Sequence, residues 1–380
     1  TRDDVFLFTF TPGTAAAGVF TRSTTASADV DWCREALRSS GGAWARAVVA
    51  NSGNSNAFTG AKGVEKNEAT LAALVETLGV EKDQCYLSAT GVIGEPLPNS
   101  NYVGEIVPEL ANTLTTPDWE GCARAFMTTD TFPKGAGKTF KFRGKTVNIA
   151  GIAKGSGMIA PNMGTMLAYL FTDAAVAAGV LQSMLARITE RTFNCVTVDS
   201  DTSTSDTLML FATGQSGAEA VLTEDDPDVP ALEAALEEVC LDLAMQLVKD
   251  GEGATKFVSI KVEGAISDVS AKKIAVAIAN SPLVKTALAA GDANWGRVVM
   301  AVGKSLEPID QSALEIWFGD LQVAEAGGRS EGYDEARASA ICAASEIDIR
   351  VSVGAGAGHA KVWTCDLTHG YVEINGAYRT

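Results

Sequence analysis

Short apolar runs and amphipathic helical patterns alternate along the chain. A run of about four to eight apolar residues bounded by Gly, Pro or Asn is typical of a strand, whereas apolar residues that recur every three or four positions are typical of a helix. Strands are predicted at 5–10, 47–50, 85–87, 147–153, 166–171, 207–212, 257–262, 314–318, 347–353 and 360–366. Strands and helices mixed in this way predict an α/β (α+β) fold class.

Three helices are marked by their apolar faces. The first carries its face over 71–78 and is expected to end at Gly79, because glycine readily adopts the left-handed conformation that follows a last helical turn. The second has an apolar face over 181–188, and we expect Thr172-Asp173 to cap its N-terminus. The third is predicted over 231–249.

Proline and glycine mark two interruptions of regular structure. Pro12-Gly13, at the centre of 11–14, predicts a turn that ends the first strand. The composition changes near Asn280-Ser281-Pro282, which predicts a domain boundary and hence two domains, 1–280 and a smaller α/β domain at 281–380.

The composition is that of an ordinary folded protein. The chain has 380 residues, 46% apolar and 20% charged, which is enough for two domains. Its net charge of −17 argues against a nucleic-acid partner, because Lys and Arg must neutralise phosphates. No apolar run is long enough to span a bilayer and no signal peptide is visible, so we expect a cytoplasmic protein without a membrane partner. Because the first residue is Thr1, we expect the natural start to be missing.

Cysteine and histidine usage limits the available chemistry. The seven cysteines are scattered and odd in number, which fits reduced cytosolic thiols better than a disulfide framework. No two are spaced as metal ligands, and His359 and His369 are the only histidines, so no metal site is expected. A hydroxyl nucleophile in this chain would therefore need a base other than histidine.

One junction is a candidate for such a nucleophile. A loop rich in glycine ends at Gly164-Thr165, and the apolar run 166–171 begins directly after it. A hydroxyl held where a tight loop enters a buried strand is well placed to attack a substrate, and the glycine allows close approach. A threonine that merely starts a strand is the commoner outcome of this pattern.

Other polar loops follow predicted strands. Thr90-Gly91 offers a hydroxyl and a backbone N–H as an oxyanion hole would require, although a plain turn is commoner. The loop 51–57 either forms a simple turn or places amides beside a pocket. The cluster 127–131 either caps a helix or orders a substrate amide, and 199–206 is interpreted as a hydrogen-bonded loop near the site. Glu252, between two glycines, is either exposed and idle or pinned to receive an ammonium group.

The stretch 154–167, Lys-Gly-Ser-Gly-Met-Ile-Ala-Pro-Asn-Met-Gly-Thr-Met-Leu, resembles the signature of the ornithine acetyltransferase family, the glutamate N-acetyltransferases of arginine biosynthesis. Further blocks resemble that family in the same order and together span nearly the whole chain: 51–60, 88–94, 127–134, 199–207, 250–256, 292–297 and the tail from Tyr371. Only the family's N-terminal lead-in has no counterpart here.

The resemblance implies a fold and a self-processing step. The fold would be an Ntn-like layered sandwich of sheets between helices, with 1–280 as the catalytic domain. Thr165 would attack the carbonyl of Gly164 and cleave the chain into 1–164 and 165–380, which stay associated, as a dimer of two-fragment units. The new α-amine of Thr165 has an ordinary pKa of about 7.7, so it can serve as its own base. This amine would be the general base, for which the chain has few candidate histidines.

The implied reaction is a ping-pong acetyl transfer from N-acetylornithine to glutamate through acetylated Thr165. Thr90 and Gly91 match the family's oxyanion positions. The substrate-contacting positions of the family match Thr128, Lys154, Thr165, Glu252, Asn375 and Thr380. We hypothesise that Lys154 pairs with a substrate carboxylate and Glu252 with an α-ammonium group. A role for Thr380 would fold the C-terminal tail over the site.

Several alternatives stay open at this point. The residue before the nucleophile is usually alanine in the family, and Gly164 would either ease the attack or relax the strain that drives it. A related self-processed aminopeptidase or amidase would pass the acyl group to water. A non-catalytic amino-acid-binding protein would leave the Gly164-Thr165 bond intact. The resemblance implies no cofactor, and it leaves open whether acetyl-CoA is a second acetyl donor.

Overall fold

The computed structural model describes residues 3–42, 44–160 and 166–377. These residues form two compact units, which we describe separately. The first unit comprises 3–194 and 201–247, and the second comprises 195–200 and 248–377, within the described residues.

The first unit is built on a mixed seven-stranded sheet in the order β3-β2-β1-β7-β6-β5-β4. Parallel pairs are β2 with β3 and β6 with β7, and the other neighbours are antiparallel. The strands are β1 (Val5–Phe20), β2 (Ala45–Asn51), β3 (Cys85–Ala89), β4 (Lys134–Phe142), β5 (Lys145–Lys154), β6 (Leu167–Thr172) and β7 (Thr207–Ala212).

The first strand is longer than predicted, so the turn prediction at 11–14 is wrong. β1 continues through Pro12-Gly13, where its pairing register with β2 shifts between Thr9 and Thr14. Gly13 has φ +89° at this irregularity. Proline and glycine thus form a bulge that redirects the strand, whose second half pairs with β7 instead.

Both faces of this sheet are covered by apolar side chains. Alternate residues of β1 enter different clusters, Phe6 with Phe126 on one face and Leu7 with Leu71 on the other. The helices of this part of the chain are α1 (Ala28–Ser40), α2 (Ala61–Leu78), α3 (Tyr102–Asn112), α4 (Trp119–Ala125), α5 (Ala178–Arg191) and α6 (Val229–Lys249). α2 ends as predicted, because Gly79 has φ +63° and donates its N–H to Val75.

The predicted cap of α5 is wrong, although its apolar face is confirmed. α5 begins after Ala177 and receives no side-chain cap from it. Asp173 instead accepts the backbone N–H and the side-chain amide of Asn148, at 2.8 and 2.7 Å. The Asp173 carboxylate therefore joins the end of β6 to β5. Both of its oxygen atoms accept hydrogen bonds from Asn148, so it does not cap α5.

A buried ion pair supports the loop 51–57. Lys66 Nζ lies 2.9 Å from Asp29 Oδ1, and their side chains are 4% and 1% exposed. Asn56 donates to Asp29 Oδ2 at 2.7 Å and has φ +53°, which asparagine tolerates. The loop is thus held from beneath by α1 and α2.

The second unit is built on a six-stranded mixed sheet in the order β11-β10-β9-β12-β8-β13, in which β8 and β12 are parallel. Its strands are β8 (Phe257–Ala265), β9 (Glu315–Phe318), β10 (Leu321–Glu325), β11 (Gly328–Arg329), β12 (Glu346–Ser352) and β13 (Gly358–Cys365). Its helices are α7 (Asp268–Ala279), α8 (Pro282–Ala289), α9 (Trp295–Lys304), α10 (Glu335–Cys342) and α11 (His369–Ala377).

The interruption at 280–282 is the junction of α7 and α8. Ser281 caps α8 by accepting the Val284 N–H, and Pro282 occupies the first turn, where it lacks no needed donor. The boundary between the two compact units falls instead between Leu247 and Val248. That 1–280 form the catalytic domain stays a prediction.

The described residues confirm the predicted α/β (α+β) class, since each unit packs helices on a mixed sheet. The seven cysteines all lie in the described residues, and none of them forms a disulfide. No helix within the described ranges has both the length and the apolar character needed to cross a membrane.

We predict that Lys66→Ala lowers the free energy of unfolding by about 3–5 kcal/mol, because it leaves the Asp29 carboxylate buried without its cation. Urea unfolding would measure the change. The matched control is Arg124→Ala, which removes an exposed pair with Glu120 and should cost about 1 kcal/mol or less. Equal losses in the two variants would contradict a supporting role for the buried pair.

Candidate functional site

Thr90 and Gly91 lie directly after β3, against the loop 51–57. Gly91 has φ +129°, and a Cβ atom there would come within 2.4 Å of the Gly53 carbonyl carbon. Thr90 N–H donates to Asn51 at 3.0 Å, and Val92 N–H donates to Gly53 at 3.3 Å. Only glycine fits this close approach, and the two loops hold each other in a fixed conformation.

Lys154, the last residue of β5, donates from Nζ to Thr90 Oγ1 at 3.0 Å. Lys154 is 3% exposed and Thr90 is 6% exposed. A lysine ammonium has three donors and no acceptor, so the Thr90 hydroxyl must accept in this contact. Its own hydrogen is then directed to another acceptor, as an oxyanion hole requires.

A second buried cation, Lys134, lies in the same unit. Asp130 Oδ1 accepts from Lys134 Nζ and from the Gly155 N–H, both at 2.6 Å, and Oδ2 accepts the Thr128 N–H at 3.0 Å. Burial alone would raise the pKa of Asp130, but the charges of Lys154 and Lys134 outweigh it and hold that pKa below its ordinary value. The Asp130 carboxylate therefore makes its hydrogen bonds within the protein, and it positions the loop that follows Lys154.

Asp206 holds the start of β6. Its Oδ1 accepts the Met166 N–H at 2.7 Å, and the side chain is fully buried. Burial raises its pKa well above the ordinary value, and the Met166 amide, the charge of Lys154 and a hydrogen bond from the Ser203 side chain oppose that rise. The Asp206 side chain thus contacts the backbone amide of Met166, the residue directly after Thr165 in the chain.

In the second unit, Glu252 is pinned rather than idle. It is 8% exposed, and its Oε2 accepts from the Asn375 side-chain amide at 2.7 Å. Asn375 lies on α11 and also donates to the Tyr371 carbonyl at 3.1 Å. The structure therefore brings together two of the predicted substrate-contacting residues.

The turn that carries Glu252 is fixed on both sides. Gly253 has φ +69°, and a Cβ atom there would lie 2.3 Å from the Tyr371 backbone nitrogen. Asp366 accepts the backbone N–H groups of Thr255 and Lys256, at 2.8 and 3.0 Å. The start of α11 and the end of β13 thus position the Glu252 carboxylate.

The predicted site residues fall into three groups. The first unit contains Thr90, Gly91, Lys154 and a half-buried Thr128, whose N–H is held by Asp130. The second unit contains Glu252 and Asn375. Gly164, Thr165 and Thr380 lie outside the described residues.

The structure adds Asp206, which the sequence analysis placed only within a polar loop. The signal for it was the order of the strands. Asp206 directly precedes β7, and β7 runs parallel to β6 with Leu167 opposite Thr207. Parallel neighbours in register bring their preceding residues together, so Met166 and Asp206 lie side by side.

In chemical terms, the first unit presents a hydroxyl whose acceptor side is occupied by a cation. Gly91, which follows it, has a constrained backbone, and the cation Lys154 also acts electrostatically on the buried Asp206. Such an arrangement can stabilise negative charge that develops on a carbonyl oxygen. The second unit presents an oriented carboxylate that can accept a hydrogen bond from an amine.

Comparison with known proteins places the chain in a family. The ArgJ family model matches residues 1–380. The arginine biosynthesis bifunctional protein ArgJ of Ruegeria pomeroyi is 54% identical over 381 residues, covering 100% of this chain and 91% of the relative. The protein of the same name from Zymomonas mobilis is 51% identical over 379 residues, with 100% and 91% covered.

A solved structure agrees with this match. The crystal structure of the arginine biosynthesis bifunctional protein ArgJ from Bacillus halodurans is 40% identical, with a TM-score of 0.52, and the match covers 54% of this chain and 96% of that chain. The α/β fold that the resemblance implied is confirmed by this similarity and by the two mixed sheets. The chain belongs to the ArgJ family.

Proposed function

We propose that this chain is an ornithine acetyltransferase of arginine biosynthesis, which transfers the acetyl group of N-acetylornithine to glutamate. Its relatives over the full length are named arginine biosynthesis bifunctional proteins, and the family model spans the chain. The observation that carries the proposal is the Thr90 hydroxyl, which a buried lysine holds as an acceptor so that its hydrogen is available to an oxyanion.

The proposed nucleophile is Thr165, released by cleavage after Gly164. The hydroxyl would attack the acetyl carbonyl, and the free α-amine of the same residue would take the hydroxyl proton. The solved Bacillus halodurans chain is matched over 96% of its length by 54% of this chain. It is therefore little more than half as long as this chain, as 165–380 would be after cleavage, which supports the proposal.

Oxyanion stabilisation is assigned to Thr90 and Gly91. The negative charge of the tetrahedral intermediate would be met by the Thr90 hydroxyl and the Gly91 N–H. Lys154 Nζ donates to Thr90 Oγ1 at 3.0 Å and polarises that hydroxyl. The charge of a buried cation acts strongly there, because little water screens it.

This geometry changes the hypothesis for Lys154. The sequence suggested that its ammonium group pairs with a substrate carboxylate. Lys154 donates to Thr90 and acts electrostatically on Asp130 and Asp206. We therefore assign it a role in catalysis through Thr90 rather than in substrate affinity.

Recognition of the substrate's α-ammonium group is assigned to Glu252, as the resemblance implies. Glu252 Oε2 already accepts from Asn375, and a carboxylate has lone pairs enough to accept from an ammonium group as well. Substrate contacts by Thr128 and Thr380 are carried over from the resemblance. Acetyl-CoA, as a second acetyl donor to glutamate, would account for the word bifunctional in the relatives' names.

The direct test of the function is to incubate the protein with N-acetylornithine and glutamate and to measure N-acetylglutamate and free acetate. We expect ornithine and N-acetylglutamate in equal amounts, because the acetyl group passes to the acceptor amine. Thr165→Ala should form neither product. Acetate without N-acetylglutamate would instead indicate an amidase, and binding without turnover would indicate an amino-acid-binding protein.

We predict that Lys154→Met lowers kcat by about 100-fold to 1000-fold, the usual loss for one oxyanion donor, while KM for either substrate changes by less than about threefold. Steady-state kinetics would separate the two effects. The matched control is Lys145→Met, which removes an exposed lysine from the opposite end of β5 and should leave both constants unchanged.

A change in KM without a change in kcat would contradict this role for Lys154. A raised KM for glutamate and for N-acetylornithine, with kcat retained, would return Lys154 to the recognition of a substrate carboxylate.

A further inference from the structure

The side chains of Glu252 and Asn375 leave only acceptor atoms for a ligand. The Asn375 amide nitrogen carries two hydrogens, and it donates to Glu252 Oε2 at 2.7 Å and to the Tyr371 carbonyl at 3.1 Å. Because a carboxylate and a carbonyl can only accept, these two partners fix the orientation of the amide. The lone pairs that remain on the two side chains suit an ammonium group, which has three donors, and would repel a carboxylate.

The Asn375 amide is carried by a helix that apolar packing does not hold in place. α11 has nine residues, all within the described part of the chain, and none of them is buried. A helix this short is marginally stable in water unless it packs against the rest of the protein. Its position therefore depends on polar contacts with the rest of the second unit.

Tyr371 joins α11 to that unit through both its backbone and its side chain. Its backbone nitrogen lies so close to Gly253 that a Cβ atom there would come within 2.3 Å of it, and its carbonyl accepts from Asn375. Its hydroxyl donates to Asp199 Oδ2 at 3.2 Å. The hydroxyl thus attaches α11 to a segment other than the turn that carries Glu252.

The segment that carries Asp199 is itself fixed to β13. Val196 forms a parallel bridge with Trp363, and the Thr197 N–H donates to the Trp363 carbonyl at 3.0 Å. Asp199 follows two residues after Thr197 and is half-buried. The Tyr371 hydroxyl is therefore anchored to the sheet of the second unit.

We propose that Tyr371 is a positioning residue for substrate recognition. Its hydroxyl group, held by Asp199, fixes α11, and α11 in turn holds the Asn375 amide against the Glu252 carboxylate. That carboxylate is thereby kept in the orientation that receives an ammonium group of the substrate. This rests on the proposed function, in which Glu252 receives that group.

The test is Tyr371→Phe, which removes the hydroxyl and keeps the ring. Calorimetric titration would measure the Kd of ornithine and of glutamate, which carry an α-ammonium group, and of glutarate, which is glutamate without it. We expect the Kd of ornithine and of glutamate to rise about 5-fold to 10-fold, because their hydrogen bond to the charged Glu252 is weakened. The Kd of glutarate should change by less than about twofold.

The matched control is Tyr333→Phe. It removes the hydroxyl of another tyrosine of the second unit, which donates to Glu335 at 2.6 Å. Because that contact involves neither α11 nor the turn that carries Glu252, the Kd of all three ligands should match the wild type.

A double-mutant cycle tests the pair of Tyr371 and Asp199. Asp199→Ala should raise the Kd of ornithine by a similar factor, and adding Tyr371→Phe should raise it by less than about twofold more, because the hydroxyl has already lost its anchor. Asp199→Asn, which keeps an acceptor for the hydroxyl, should stay within about threefold of the wild type. If Asp199→Ala does not fold, Asp199→Ser replaces it.

Three outcomes would overturn the proposal. An equal rise in the Kd of ornithine and of glutarate in Tyr371→Phe would indicate a general loosening of the protein. A wild-type Kd for ornithine in that variant would show that the hydroxyl does not position the site. Additive losses in the double-mutant cycle would show that Tyr371 does not act through Asp199.

Failure of the proposed function is a different result. A wild-type protein that binds ornithine but forms no N-acetylglutamate would overturn the function and leave the positioning role to be decided by the titrations. A wild-type protein that binds neither ornithine nor glutamate would overturn both.

Discussion

The contact on which the candidate site depends is the hydrogen bond from the Lys154 ammonium to the Thr90 hydroxyl. Burying an ammonium group costs several kcal/mol unless nearby charges and hydrogen bonds offset the loss of water. Here Asp130 and Asp206 provide the opposite charge. Much of the surrounding structure serves to keep this cation in place, because without it the Thr90 hydroxyl would be free to rotate away from its donor orientation.

The rest of the first unit positions the two partners of that contact. Lys154 ends β5, and the Asp130 carboxylate fixes the backbone immediately after it. On the other side, Gly91 packs against Gly53, and the loop containing Gly53 rests on the buried pair of Asp29 and Lys66. Substitution of Asp29 or Lys66 can therefore change the site by moving the loop, although both residues lie far from the reacting atoms. Substitution of an exposed ion pair on the same unit should leave the site unchanged.

Periodicity predicted the regular core of the fold and failed where polar or glycine-rich segments pair as strands. β7 was predicted residue for residue at 207–212, and the end of α2 followed from Gly79 alone. β4 was missed because it is an edge strand rich in lysine and glycine, and such edges carry little apolar signal. Pro12-Gly13 was interpreted as a turn because local preference cannot reveal a bulge that two partner strands stabilise.

For the site, the sequence left both Thr90-Gly91 and Glu252 open between a structural and a functional interpretation, and the resemblance favoured the functional one. The partner of Lys154 and the contact of Asp206 with Met166 required the pairing of distant strands. The most direct test of the account is the intact mass of the protein, under denaturing conditions, after mixing with N-acetylornithine alone. The account predicts two masses, 1–164 and 165–380, with the second heavier by one acetyl group that added glutamate removes. A single full-length mass, or a 165–380 fragment that never gains the acetyl group, would contradict it.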